Sequence, residues 1–129
     1  MTLVRGKEVN VDSILVSVKK LLGIDAEYTI FDPDIIVHIN TAFAILNQLG
    51  VGPEEGFMIE GENEVWDEYI VDFNFMMAKT FVFLKVKIAF DPPSSAALLE
   101  SMNRQLDELT WRLEVEGHAH TNVDSEDSE

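Results

Sequence analysis

Apolar residues recur at helical spacing in four blocks of the chain, each bounded by residues that end helices. In the first block Ile14, Leu15, Val18, Leu21 and Leu22 lie three and four apart, with Lys19 and Lys20 near the negative end of the helix dipole and Gly23 after them. Asp12 is placed to cap this helix. The second block opens with a dense start signal: Asp32 as N-cap, Pro33 at the first helical position and Phe31 stapling onto Ile36. Ile35, Ile39, Phe43, Leu46 and Leu49 then share one face until Gly50 stops the helix, which spans about 34–49.

The third block is ambiguous in period. Residues 81–88 alternate and are rich in β-branched and aromatic side chains, as a strand would be. Phe73, Met77, Phe81, Leu84 and Ile88 also fall on one helical stripe, and Lys85 and Lys87 suit a last helical turn before Asp91, Pro92 and Pro93. The segment exceeds an ordinary strand and contains no hairpin turn, so helix is the reading adopted. Two consecutive prolines cannot continue a helix, because each lacks an N–H and biases its predecessor toward extended backbone. Ser94 or Ser95 can then accept from the free N–H groups of the fourth block. There Leu99, Met102, Leu106, Leu109 and Leu113 are spaced 3, 4, 3, 4, a narrow seam that packs along one groove. Glu100, Arg104, Asp107, Glu108 and Arg112 occupy the other faces, and Trp111 lies off the seam, free for a second contact. Gly117 is the expected stop.

Between the second and third blocks, residues 50–63 hold four of the chain's seven glycines, Pro53, and Glu54, Glu55, Glu60 and Glu62 without one basic residue. This predicts a long acidic surface loop, in which residues 57–59 either pair as a short strand or tuck under the core. Trp66, Tyr69 and Ile70 fall on one face of a short helical turn. The ends have a different texture. Residues 1–11 are short and uncapped, an arm that needs a neighbour to become ordered, and residues 117–129 form an acidic tail of disordered composition. The expected architecture is mainly α: a small bundle of four to five helices with a long acidic loop and flexible termini. Its domain occupies residues 12–116.

At 129 residues, 47% of them apolar, the chain has material for one core. Its nine Lys and Arg face 24 Asp and Glu, a formal charge of −15, which disfavours wrapping of nucleic acid and adsorption to anionic membranes. An acidic wall nonetheless lets a phosphate backbone pass without trapping it. Cysteine is absent, so disulfides, thiolate nucleophiles and Cys-ligated zinc are excluded. Residues 1–10 contain no apolar h-region, and residues 70–90 carry too many polar groups for a transmembrane helix.

No nucleophile with a base, phosphate cradle or metal cluster emerges, so no catalytic, cofactor or metal site is expected. Residues 50–56 resemble a dinucleotide turn, but the last glycine is one position too far and a helix precedes it. Asp25, Glu27, Asp32 and Asp34 miss the calcium-loop spacing. His38 reads as a rim residue, His118 and His120 as tail residues, and Met76 and Met77 as core filler. The run Glu54, Glu55, Glu60, Glu62, Glu64, Asp67, Glu68 and Asp72 is a solvated face, a channel lining or a docking site for a basic partner. Trp66 and Trp111 are half-buried anchors or interface hot spots.

Several local features occur together in a known order: Leu21-Leu22-Gly23-Ile24, Asp34-Ile35-Ile36 with Ile39-Asn40, Leu49-Gly50-Val51-Gly52-Pro53, and Trp66 with Tyr69-Ile70. Leu84-Lys85-Val86, then Phe90-Asp91-Pro92-Pro93-Ser94-Ser95, and Trp111-Arg112-Leu113 complete the set. This set, over about residues 12–113, resembles the head-tail connector (head completion or adaptor) proteins of tailed bacteriophages. The resemblance implies a non-enzymatic virion protein of the neck, assembled in the host cytoplasm. It implies a homo-oligomeric ring that docks on the portal protein after DNA packaging, extends the DNA channel without specific DNA binding, and supports a stopper or other tail-side component. Under it, Glu54, Glu55, Glu60 and Glu62 become the channel-facing or tail-facing loop, and Trp66, Tyr69, Arg104, Trp111 and Arg112 interface candidates. Asp91, Pro92, Pro93, Ser94 and Ser95 become the structural stop and cap. The alternative is a soluble acidic helical adaptor or DNA mimic that binds a basic partner outside a virion.

Overall fold

The computed structural model describes residues 2–4, 7–9, 13–71 and 74–127, with side chains placed over 13–71 and 74–116. The described elements run β1 (Thr2–Val4), β2 (Lys7–Val9), α1 (Ile14–Leu21), α2 (Asp32–Gln48), α3 (Trp66–Tyr69), α4 (Phe75–Phe90) and α5 (Ala96–Asp127). It is a mainly helical bundle. The leading segment adds a small antiparallel pair, with Thr2 opposite Val9, Leu3 opposite Glu8 and Val4 opposite Lys7.

α4 is the central helix and packs against both α2 and α5. It buries Ala78, Phe81, Val82, Leu84 and Val86, residues that lie on more than one side of the helix. A helix covered from two sides loses its amphipathic stripe, which is why this segment alternates like a strand while folding as a helix. Phe81 and Leu84 of the expected stripe are buried, Met77 and Ile88 pack against the core, and Phe73 lies outside the described residues. α2 contributes Ile35, Ile39, Ala42, Phe43 and Leu46, and α1 contributes Ile14, Leu15 and Val18. From α5, Leu106 and Leu113 are buried and Met102 and Leu109 pack beside them, as the seam predicts.

α1 and α2 end in the same way. Gly23 (φ +80°) donates to Lys20 O at 3.1 Å and Ile24 to Lys19 O at 2.8 Å, while Gly50 (φ +85°) donates to Asn47 O at 3.0 Å and Val51 to Leu46 O at 2.9 Å. These are Schellman closures, which satisfy orphan carbonyls through a left-handed residue and place an apolar side chain beyond it. Val51 is buried accordingly.

The starts of α1 and α2 differ from the sequence reading. Ser13, not Asp12, caps α1: its Oγ accepts from Val16 N–H at 3.3 Å, and Asp12 lies outside the described residues. Asp32 does not cap α2. Phe31 holds the N-cap position without a side-chain bond, and Asp32 turns instead to the Lys19 ammonium, 2.8 Å away. Phe31 stacks edge-on against Tyr28 and Phe90. At the other end of the chain the expected stop at Gly117 gives way to a helix that continues to Asp127. One glycine in a helix interior costs about 1 kcal/mol, too little to end a helix when no proline follows.

Candidate functional site

The acidic loop is held by side chains of α2. Asn40 donates Nδ2–H to Ile59 O at 3.0 Å and accepts Ile59 N–H on Oδ1 at 2.8 Å, so its carboxamide pairs with that peptide as a strand neighbour would. Asn47 donates to Pro53 O at 3.1 Å and Glu54 O at 3.4 Å. These anchors bury Ile59 and leave Met58 exposed, so residues 57–59 tuck under the core. Phe57 meets both Phe43 (5.4 Å between centroids) and Tyr69 (5.4 Å). Gly52 lies so close to Tyr69 that a Cβ there would come within 2.5 Å of the ring.

This scaffold holds Glu54, Glu55, Glu60 and Glu62 exposed on one loop. Two other carboxylates of the acidic run have structural work. Glu64 accepts from Glu60 N–H (2.8 Å) and Gly61 N–H (3.4 Å), closing the loop's tip. Glu68 accepts from Val65 N–H at 3.2 Å at the start of α3. The loop then returns to α1, where Ser13 bridges Val65 and Ile14 N–H donates to Glu64 O at 3.0 Å.

Trp66 and Tyr69 are inside the subunit, 3% and 4% exposed. Trp66 Nε1–H donates to Ser17 Oγ at 2.9 Å, and both rings pack on Phe43. Trp111, by contrast, is 62% exposed on α5. Arg104 is exposed, and Arg112 is exposed and pairs with Glu108 at 2.9 Å one turn away. Geometry therefore separates the five residues: two lie in the core, and three lie on the outward face of one helix.

At the α4–α5 corner, Asp91 N–H donates to Lys87 O at 2.9 Å and its carboxylate meets Lys87 Nζ at 2.8 Å. Pro92 is exposed and Pro93 half-buried, and Ser95 Oγ accepts from Leu98 N–H at 3.2 Å, capping α5. Ser94 is exposed. His38 lies at the rim, its ring 6.5 Å from that of Phe90.

A buried cation has no counterpart among the expected sites. Lys19 is 1% exposed; its ammonium donates to Ala26 O (3.0 Å) and Tyr28 O (2.7 Å) and forms an ionic contact with Asp32, less well directed than a hydrogen bond. It therefore ties the α1–α2 link to the start of α2. The sequence signal is its position: Leu15, Val18, Lys19 and Leu22 follow the spacing of an apolar stripe, so Lys19 faces inward. Asp25 likewise serves the link, accepting Glu27 N–H at 3.0 Å. Among the described residues no His, Asp and Glu group is arranged to hold a metal ion, and no helix is long and apolar enough to cross a membrane.

No curated protein and no solved structure matches the chain. A family model for the phage connector protein matches residues 14–120, from the first residue of α1 to well into α5. With most of its length covered by that match, the chain belongs to the phage connector protein family.

Proposed function

We propose that this connector is a head-tail adaptor that docks as a ring on the portal after DNA packaging, extends the DNA channel and carries the next tail-side component. The family match over residues 14–120 carries the reading, because it makes the chain a structural phage connector. The mechanism is assembly: the connector domain, residues 12–116, supplies a rigid body, and at least one of the two end segments, the arm of residues 1–11 or the acidic segment 117–129, seats against portal or neighbour with residues 95–113 as its support. Ring contacts are heterologous and close by rotation, so many modest contacts add up. No chemical step is required of any side chain.

The exposed Glu54, Glu55, Glu60 and Glu62 line the channel or its tail-side mouth in this proposal. A wall of one negative sign gives phosphates nothing to bind, so DNA passes. Replacing these four residues by Lys is expected to slow DNA ejection from assembled particles while leaving thermal unfolding of the subunit little changed; unchanged ejection would remove the channel role. Docking itself is tested by co-sedimentation with DNA-filled, tailless heads, using portal-free heads as control. The expected result is saturable binding that depends on the portal.

A further inference from the structure

A groove of about 760 Å³ lies between α1 with the link that follows it and α4, with Val16, Ile24 and Phe83 among its lining. Its apolar edges stay in water: Leu21 is 52% and Met76 64% exposed. Lys20 and Lys79 also line it, with Asp25 the opposing charge. Lys79 is held over the Trp66 and Phe75 rings, 5.7 and 5.6 Å from their centroids, so its position is fixed by the core. A basic-edged apolar groove on a chain of formal charge −15 selects an apolar ridge with acidic flanks.

Such a ridge is present on every copy. Trp111 and Val115, one turn apart on α5, are 62% and 47% exposed, with Asp107, Glu108 and Glu114 exposed around them. Arg104 and Arg112 share this face, and Arg112 is paired with Glu108, which among the described residues leaves Asp107 and Glu114 as the unpaired acidic charges beside Trp111. Leu106 and Leu113 turn the opposite side of α5 into the subunit's own core. The ridge therefore faces away from its own bundle. We infer that the Trp111–Val115 ridge of one subunit seats in the α1–α4 groove of the next, with Glu114 meeting the groove lysines. Tryptophan is the side chain most suited to anchor such a site, and the flanking charges fix its register. Groove and ridge belong to different elements, and in the ring each pair of neighbours makes the contact once, so it is head-to-tail and propagates from copy to copy until it closes; a reciprocal two-fold pair would give a closed dimer instead of a ladder. This inference rests on the ring-forming connector reading and names the surfaces that build the ring.

The chain contains no cysteine, so introduced thiols report contacts without background. Chains carrying Met76→Cys and Val115→Cys are mixed and treated with a short bismaleimide, in solution over a concentration series and on portal-bearing heads. A mixed 76–115 dimer is expected, and a ladder when both substitutions are in one chain. Trp111→Ala on the ridge chain should abolish the product. Lys20→Glu should reduce it about tenfold, and Glu114→Lys on the partner should restore it. Trp111, Glu114 and Lys20 are exposed, and circular dichroism verifies that each variant is folded. Products joining 76 to 76, or a ring at the portal without the 76–115 product, would overturn the contact while leaving the ring standing. A 76–115 product in solution without binding to heads would support the contact and overturn portal docking. Absence of both product and ring would overturn both.

Discussion

Lys19→Met tests the role of the buried cation. The substitution keeps most of the apolar stem and removes the ammonium, which holds Ala26 O, Tyr28 O and the Asp32 carboxylate at 3.0, 2.7 and 2.8 Å. Removing one partner of a buried ion pair costs about 3–5 kcal/mol, because the other charge is left without compensation. Asp32 retains 21% exposure and can recover some hydration, which places the cost near the lower end, about 3 kcal/mol. In a domain of this size each kcal/mol lowers Tm by roughly 4 °C, so a fall of about 12 °C is expected. Urea and thermal unfolding followed by far-UV circular dichroism measure it. A cycle with Asp32→Asn isolates the pair: the double variant should be more stable than the two single losses would sum to, by about 1–2 kcal/mol. A loss below about 1 kcal/mol with no coupling would refute the argument that this lysine fastens the α1–α2 link.

Three further outcomes follow from local geometry. Gly52→Ala, with φ +87° and a Cβ 2.5 Å from the Tyr69 ring, should cost about 3–4 kcal/mol, whereas Gly23→Ala, with φ +80° and open space, should cost about 1–2 kcal/mol in the same urea titration. Asn40→Ala removes both bonds to the Ile59 peptide, and the expected loss of about 2 kcal/mol should speed exchange of the Ile59 amide roughly thirtyfold by NMR, with remote core amides less affected. Trp66→Ala should destabilise by about 3–5 kcal/mol, and Trp111→Ala by no more than about 0.5 kcal/mol, because the first ring is 3% and the second 62% exposed.

The helices with one covered face were legible in the sequence. The α5 seam, the α2 face and the stop at Asp91-Pro92-Pro93 each rest on local spacing or on backbone restrictions that do not depend on the rest of the fold. α4 was harder, since burial from two sides spreads apolar residues round the helix and imitates alternation. The start of α2 was misread because a capping residue can have another use, whereas Ser95 caps α5 as the spacing indicated. Asp32 is a good cap in isolation, but an inward-facing lysine one helix away offers it a charged partner instead. In the acidic run, spacing alone did not separate Glu64 and Glu68, which hold backbone N–H groups, from Glu54 and Glu55, which face solvent. The same limit applied to the two tryptophans. Trp66 follows a loop that Asn40 and Asn47 draw onto α2, and that long-range placement decides its burial.

The most direct test of the account is imaging of the portal vertex of DNA-filled, tailless heads after saturation with the purified protein. Added ring density coaxial with the portal is expected, built from subunits with the α2–α4–α5 bundle and continuing the channel outward. Folded protein that leaves the vertex bare, and instead forms a small discrete complex with a basic partner away from the head, would contradict it.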